Sequence, residues 1–120
     1  MKSLYKFFKH KNGTSAFAEI GVQSDPSPTF VVTWAKDVAV YEQNYGKAVL
    51  EGITQALRWH RDGGGGPAKF TISEFVELIV DTREDAVRCA SAAAAWMALG
   101  HSETELSFDF NGTWHVKMNK

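Results

Sequence analysis

A glycine stands in the middle of the longest amphipathic helix this sequence can form, and a later helix is built largely of alanine. From Glu42 to about Arg61, the residues Tyr45, Val49, Gly52, Ile53, Ala56 and Leu57 recur at spacings of three and four, which makes one apolar stripe. Glycine in mid-helix costs about 1 kcal/mol against alanine, so Gly52 implies close approach of another element. The second helix is expected after Asp81 or Thr82, whose side-chain oxygens can cap free amides, with Glu84 or Asp85 as the acid that the helix dipole favours. Its narrow apolar face is Ala86, Ala90, Ala93, Ala94 and Met97, and Gly100 ends it. Alanines let backbones approach closely, so these two seams predict helices packed against each other and against a sheet.

The strands around them follow from alternation and turn chemistry. Leu4 to His10 and Ser15 to Val22 are rich in aromatic and β-branched residues, and Asn12-Gly13 between them suits a tight hairpin. Asp25-Pro26-Ser27-Pro28 reads as a turn, because proline lacks an amide donor and fixes φ. Phe30 to Trp34 is a third strand and Lys69 to Ile72 a fourth. After Ile72 the parity slips, with Phe75 and Ile79 on the opposite count, so a bulge or loop is expected near Ser73-Glu74. Glu105 to Phe110 and Thr113 to Met118 form a second hairpin around Asn111-Gly112, with Leu106, Phe108 and Phe110 on one face and Trp114, Val116 and Met118 sharing a face of the partner strand. The predicted fold is α+β: a two-layer sandwich in the order β-β-β-α-β-α-β-β, mostly antiparallel, with both helices on one face, all in one domain of 120 residues.

Charge narrows the functional classes. A net charge of −1 excludes a polycation built to coat nucleic acid, although Lys2, Lys6, Lys9 and Lys11 fall in the first dozen residues without an acid among them. Cys89 is the only cysteine and reads as a small buried thiol. No apolar h-region follows the basic start, and no apolar run is long enough to span a bilayer, so a cytoplasmic protein is expected, without membrane contact. His10, His60, His101 and His115 lack the spacing of a zinc site, and no metal or cofactor is expected. The Gly63 to Gly66 run follows a helix C-terminus, the wrong end for a phosphate cradle, and reads as a flexible connector. The chain is accordingly expected not to be an enzyme.

Several motifs in order resemble domain IV of the elongation factor G class of translational GTPases. They are Glu19-Ile20-Gly21-Val22 with the proline turn, Phe30-Val31-Val32, Tyr45-Gly46-Lys47-Ala48-Val49-Leu50-Glu51-Gly52-Ile53-Thr54-Gln55-Ala56, and Val80 to Ala86 followed by Ala90 and Ala94. The resemblance covers about two-thirds of the chain and implies a split β-α-β fold of the ribosomal protein S5 domain 2 type. Two loops differ from the family pattern: Lys36-Asp37-Val38-Ala39-Val40 stands where the family loop is Gly-rich with a Pro, and Ser73 to Glu77 is acidic and apolar where the family carries Gly, Ser and His.

The resemblance implies RNA or the ribosome as partner, and the N-terminal hairpin adds a basic-aromatic motif. Lys6, Phe8 and His10 share one strand face, with Lys9 and Lys11 on the other; Lys117 and Trp114 can join them if the two hairpins are adjacent. Lysines neutralise phosphates and aromatics stack on unpaired bases. The alternative is a protein-interaction or regulatory module acting as a homodimer without nucleic acid, suggested by four Trp, eight Phe and three Tyr in so short a chain.

Overall fold

The computed structural model describes residues 1–119. It opens with β1 (Lys2–Lys11) and β2 (Thr14–Pro26). Asn12 and Gly13 join them with φ of 53° and 78°, the two positive angles that a two-residue hairpin needs. Next come a short β3 (Val32–Trp34), α1 (Glu42–Asp62), β4 (Ala68–Val76) and α2 (Glu84–Ala98). The chain closes with β5 (Leu106–Phe110) and β6 (Trp114–Met118). This is the expected order of elements. A four-stranded sheet runs β1-β2-β4-β3, antiparallel except for the parallel β3–β4 pair, and β5–β6 forms a separate two-stranded ribbon.

The slip in β4 is a bulge. Gly21 pairs with Glu74 and Val22 with Ile72, so Ser73 has no opposite number. The extra residue turns Ala68, Phe70 and Ile72 before it, and Phe75 after it, toward the same buried face. The strand continues through the bulge to Val76, longer than its apolar alternation suggested. Ile79 does not follow Phe75 inward; it stands on the surface, 90% exposed. β2 also outruns expectation. It pairs as far as Pro26 opposite Ala68, so the turn begins at Ser27.

The helical seam is as tight as its residues allow. A Cβ placed on Gly52 would lie 2.4 Å from the Arg88 carbonyl oxygen and 2.9 Å from the Ala92 nitrogen, so α1 touches the backbone of α2 directly. On its other side α2 meets β1 and β2, where the buried Ser24 hydroxyl donates to the Ala98 carbonyl at 2.6 Å and the Ser3 hydroxyl donates to that of Ala94. The β5–β6 ribbon closes a third side, with Phe7 against Phe108 and Trp114 at 5.1 and 5.6 Å. The face of α2 is therefore not narrow: from Asp85 to Ala98 only Arg88 and Met97 escape full burial. Alanine suits a helix enclosed on three sides because any larger side chain would push a neighbour away.

The caps of α2 differ from expectation. Arg83 is the N-cap residue and contributes no side-chain cap. The Thr82 hydroxyl instead accepts the Leu78 amide at 2.9 Å, closing the preceding turn. One sheet face carries the helices and the ribbon; the other is open. The molecule spans 19 Å along its thinnest axis, which is one sheet and one helical layer.

Candidate interaction surfaces

The structure divides the six residues of the basic-aromatic motif among three places. Lys6, Phe8 and His10 are exposed on the open sheet face, as alternation requires. There Phe8 meets the His10 ring at 4.9 Å and the Phe17 ring at 6.0 Å, and His10 bonds the Ser15 hydroxyl at 2.8 Å. Lys6 sits opposite Glu19. Lys9 faces the other way, its ammonium 5.5 Å from the centre of the Phe108 ring, and Lys11 shares that parity at the hairpin end. Lys117 lies on the outward face of the ribbon, in an ion pair of 2.8 Å with Asp109. The hairpins are adjacent, but their contact is apolar. Trp114 is buried in it and presents no stacking surface. The six residues therefore do not gather into one patch.

A second surface forms where β4 ends and α1 begins. Phe75 is stacked by Tyr41 at 4.5 Å and Tyr45 at 5.2 Å, with Trp34 at 6.1 Å. This aromatic base brings two loops together, 35–41 and 77–83. The Tyr45 hydroxyl donates to the Glu77 carboxylate, and burial together with that carboxylate pushes the phenol up to about 12. The second loop is a closed turn. The Asp81 and Thr82 amides donate to the Leu78 carbonyl at 3.0 and 2.8 Å, and the Phe17 amide ties Asp81 to β2 at 3.0 Å.

On this firm base the aliphatic side chains point into water. Val40, Ile79 and Val80 are 74%, 90% and 89% exposed, and Leu78 and Val76 beside them are also exposed. The charged residues of these two loops are Lys36, Asp37, Glu77, Asp81 and Arg83, a net of one negative charge, and the Arg83 guanidinium is paired with Asp85. The parity slip, which put Ile79 on one count with Phe75, did not mark this tip. The signal that could have revealed it is the helix-start sequence at Asp81 to Glu84, which leaves Leu78-Ile79-Val80 as a turn.

Asp85 holds the layers beside this tip together. It is buried at the start of α2 and accepts hydrogen bonds from the Trp114 amide at 2.8 Å, the Ala86 amide at 2.9 Å and the Arg83 guanidinium at 3.2 Å. Burial acts to raise its pKa. The Trp114 amide, Arg83 and the Ala86 amide outweigh that and hold it below the usual carboxylate range. Cys89 is fully buried, and burial pushes its thiol up to about 12, with Arg88 opposing and Asp85 adding. Among the described residues no cluster of three or more His, Cys, Asp and Glu side chains is arranged to hold a metal ion, and no helix is long and apolar enough to cross a membrane.

No family model and no curated protein matches the sequence. The fold does have a solved counterpart. A crystal structure of a protein from Thermus thermophilus is similar over 80% of this chain, with a TM-score of 0.68 and 21% identity, and the match covers 15% of that chain. The likeness establishes the fold. This chain spans a small fraction of the length of the protein it matches.

Proposed function

We propose that this protein is a non-enzymatic interaction module that pairs with a second copy of itself through the apolar tip. The observation that carries the reading is the exposure of Ile79 and Val80 on a turn fixed by its own hydrogen bonds, with Val40 exposed on the 35–41 loop. Aliphatic surface held in water is unfavourable, by about 25 cal/mol for each Å² that a partner could cover. A two-fold axis through the tip covers the same patch on both copies. The acidic balance around the tip disfavours a phosphate backbone there, which separates this surface from the RNA contact that the resemblance to elongation factor G domain IV implies.

Sedimentation equilibrium over a range of protein concentrations tests the reading. The expected result is a mass rising toward that of a dimer, and a monomer at all concentrations for the Ile79→Asp, Val80→Asp double variant. Both substituted side chains are exposed, so the variant should fold. A wild-type protein that stays monomeric throughout would overturn the proposal.

One observation favours a second reading, RNA binding on the open sheet face. Phe8 is 49% exposed between Lys6 and His10, a base-stacking residue flanked by groups that can meet phosphates. Phosphate contacts weaken steeply with salt. Single-stranded RNA affinity that falls with salt and is lost in the Lys6→Glu, Phe8→Ala double variant would support this reading; unchanged affinity in that variant would remove it.

A further inference from the structure

At the far end of α1 from the tip, five parts of the chain line a pocket of about 450 Å³. Trp59 and Asp62 come from the last turns of α1, Trp96 from α2, His101 from the loop after it, Glu105 from the single 3-10 turn that precedes β5, and Met118 from β6. Trp59 and Trp96 stand at 86° with ring centres 6.3 Å apart; Trp96 is 3% exposed and backs the corner, and Trp59 lines its open side. The His101 imidazole lies flat on Trp96 at 3.7 Å and 13°. It is fixed from behind by His60, whose Nδ1 is 2.8 Å from His101 Nε2. His60 is pressed in turn by the glycine loop: a Cβ on Gly65 would lie 2.2 Å from the His60 ring. The loop that reads in sequence as a connector is therefore the back plate of this corner.

The charges at the mouth have one sign. Asp62 and Glu105 line the pocket, no lysine or arginine does, and among the described residues neither acid forms an ion pair. Glu105 has one carboxylate oxygen accepting the Ser102 amide at 3.1 Å, which orients it. Burial, and then His101, hold His60 below the usual imidazole range. Aromatic faces attract a cation through the ring quadrupole, and the effect is largest for a cation that is weakly hydrated. A thioether is polarizable and suits methyl groups. A plain ammonium would lose its water here without enough acceptors to replace it, whereas a methylated ammonium has little to lose.

We infer that this pocket binds a methylated ammonium group, with Trp59, His101 and Met118 as its walls, Trp96 supporting His101 from below, and Asp62 and Glu105 as counter-charges. The group could arrive as a free quaternary amine or as a trimethylated lysine side chain; the chemistry recognised is the same. The inference is independent of the dimer, because the two surfaces share no residue.

Titration followed by the indole signals of Trp59 and Trp96 in nuclear magnetic resonance tests it, with three probes: choline, a peptide carrying trimethyl-lysine, and 3,3-dimethylbutanol, the neutral isostere of choline. The expected result is saturable shifts of both indoles with at least one cationic probe, at a dissociation constant of about 1 mM or tighter, and at least tenfold weaker binding of the isostere. Saturation by choline assigns the free amine as sufficient; saturation by the peptide alone assigns a modified chain. The Asp62→Asn, Glu105→Gln double variant, altered only at exposed carboxylates, should weaken the cation by about tenfold, and Trp59→Leu should abolish saturation. Equal binding of choline and its isostere, or no saturable shift with either cation, would overturn the inference.

Discussion

Gly52 is the position where one atom decides the packing. An added methyl group would meet the backbone of Arg88 and Ala92, which cannot swing aside, so α1 and α2 would have to separate. Alanine is the better helix former by about 1 kcal/mol, yet Gly52→Ala is expected to destabilise the fold by about 2–4 kcal/mol because overpacking outweighs propensity. Gly46→Ala in the same helix is the control. There the Cβ meets only the flexible Glu42 side chain, at 3.1 Å, and a gain of up to about 1 kcal/mol is expected. Urea unfolding of both variants checks the pair; equal effects would contradict the seam. Cys89 makes a second prediction at this scale. With its thiol raised to about 12 and fully buried, it should not react with a thiol reagent at pH 8 in the native protein and should react completely in urea.

Asp85 joins α2 to the ribbon. Because its folded pKa is depressed, its contribution is fully present above the unfolded carboxylate value of about 4 and is lost as pH falls through the lower folded value. Asp85→Asn should cost about 2–4 kcal/mol at neutral pH and flatten the acid limb of the stability curve, measured by urea unfolding from neutral to acid pH. An unchanged acid limb would show that Asp85 does not fasten the ribbon. The elements themselves were legible because their signals are local. Asn12-Gly13 dictated a hairpin, the three- and four-residue spacing around Gly52 dictated a helix face, and the parity slip after Ile72 announced the Ser73 bulge. What the sequence withheld depends on contacts between distant segments. The pairing of Asp85 with the Trp114 amide spans 29 residues. The enclosure of α2 on three sides arises only when the ribbon folds onto Phe7, and no residue within α2 announces it. Thr82 has the chemistry of a helix cap, but its hydroxyl accepts the Leu78 amide and closes a turn instead.

The basic and aromatic residues of the N-terminal hairpin were legible as a motif, but the pleat of β1 sends Lys9 to the opposite side from Lys6. The sheet itself and the contact of Phe7 with Phe108 and Trp114 lie between the open sheet face and the outward face of the ribbon that carries Lys117. The apolar tip, by contrast, is assembled from two loops that are far apart in sequence and near in space only through Phe75. On this account the fold is a scaffold whose two ends are specialised, an aliphatic tip for a second copy and an aromatic corner for a methylated cation. The fold shared with the larger Thermus thermophilus protein carries neither function with it. The most direct test of the tip is to record backbone amide signals at increasing protein concentration. The account predicts concentration-dependent shifts confined to residues 35–41 and 76–82 and persisting as salt rises, since apolar contact is little screened. Shifts centred on residues 2–11, or none at any concentration, would contradict it.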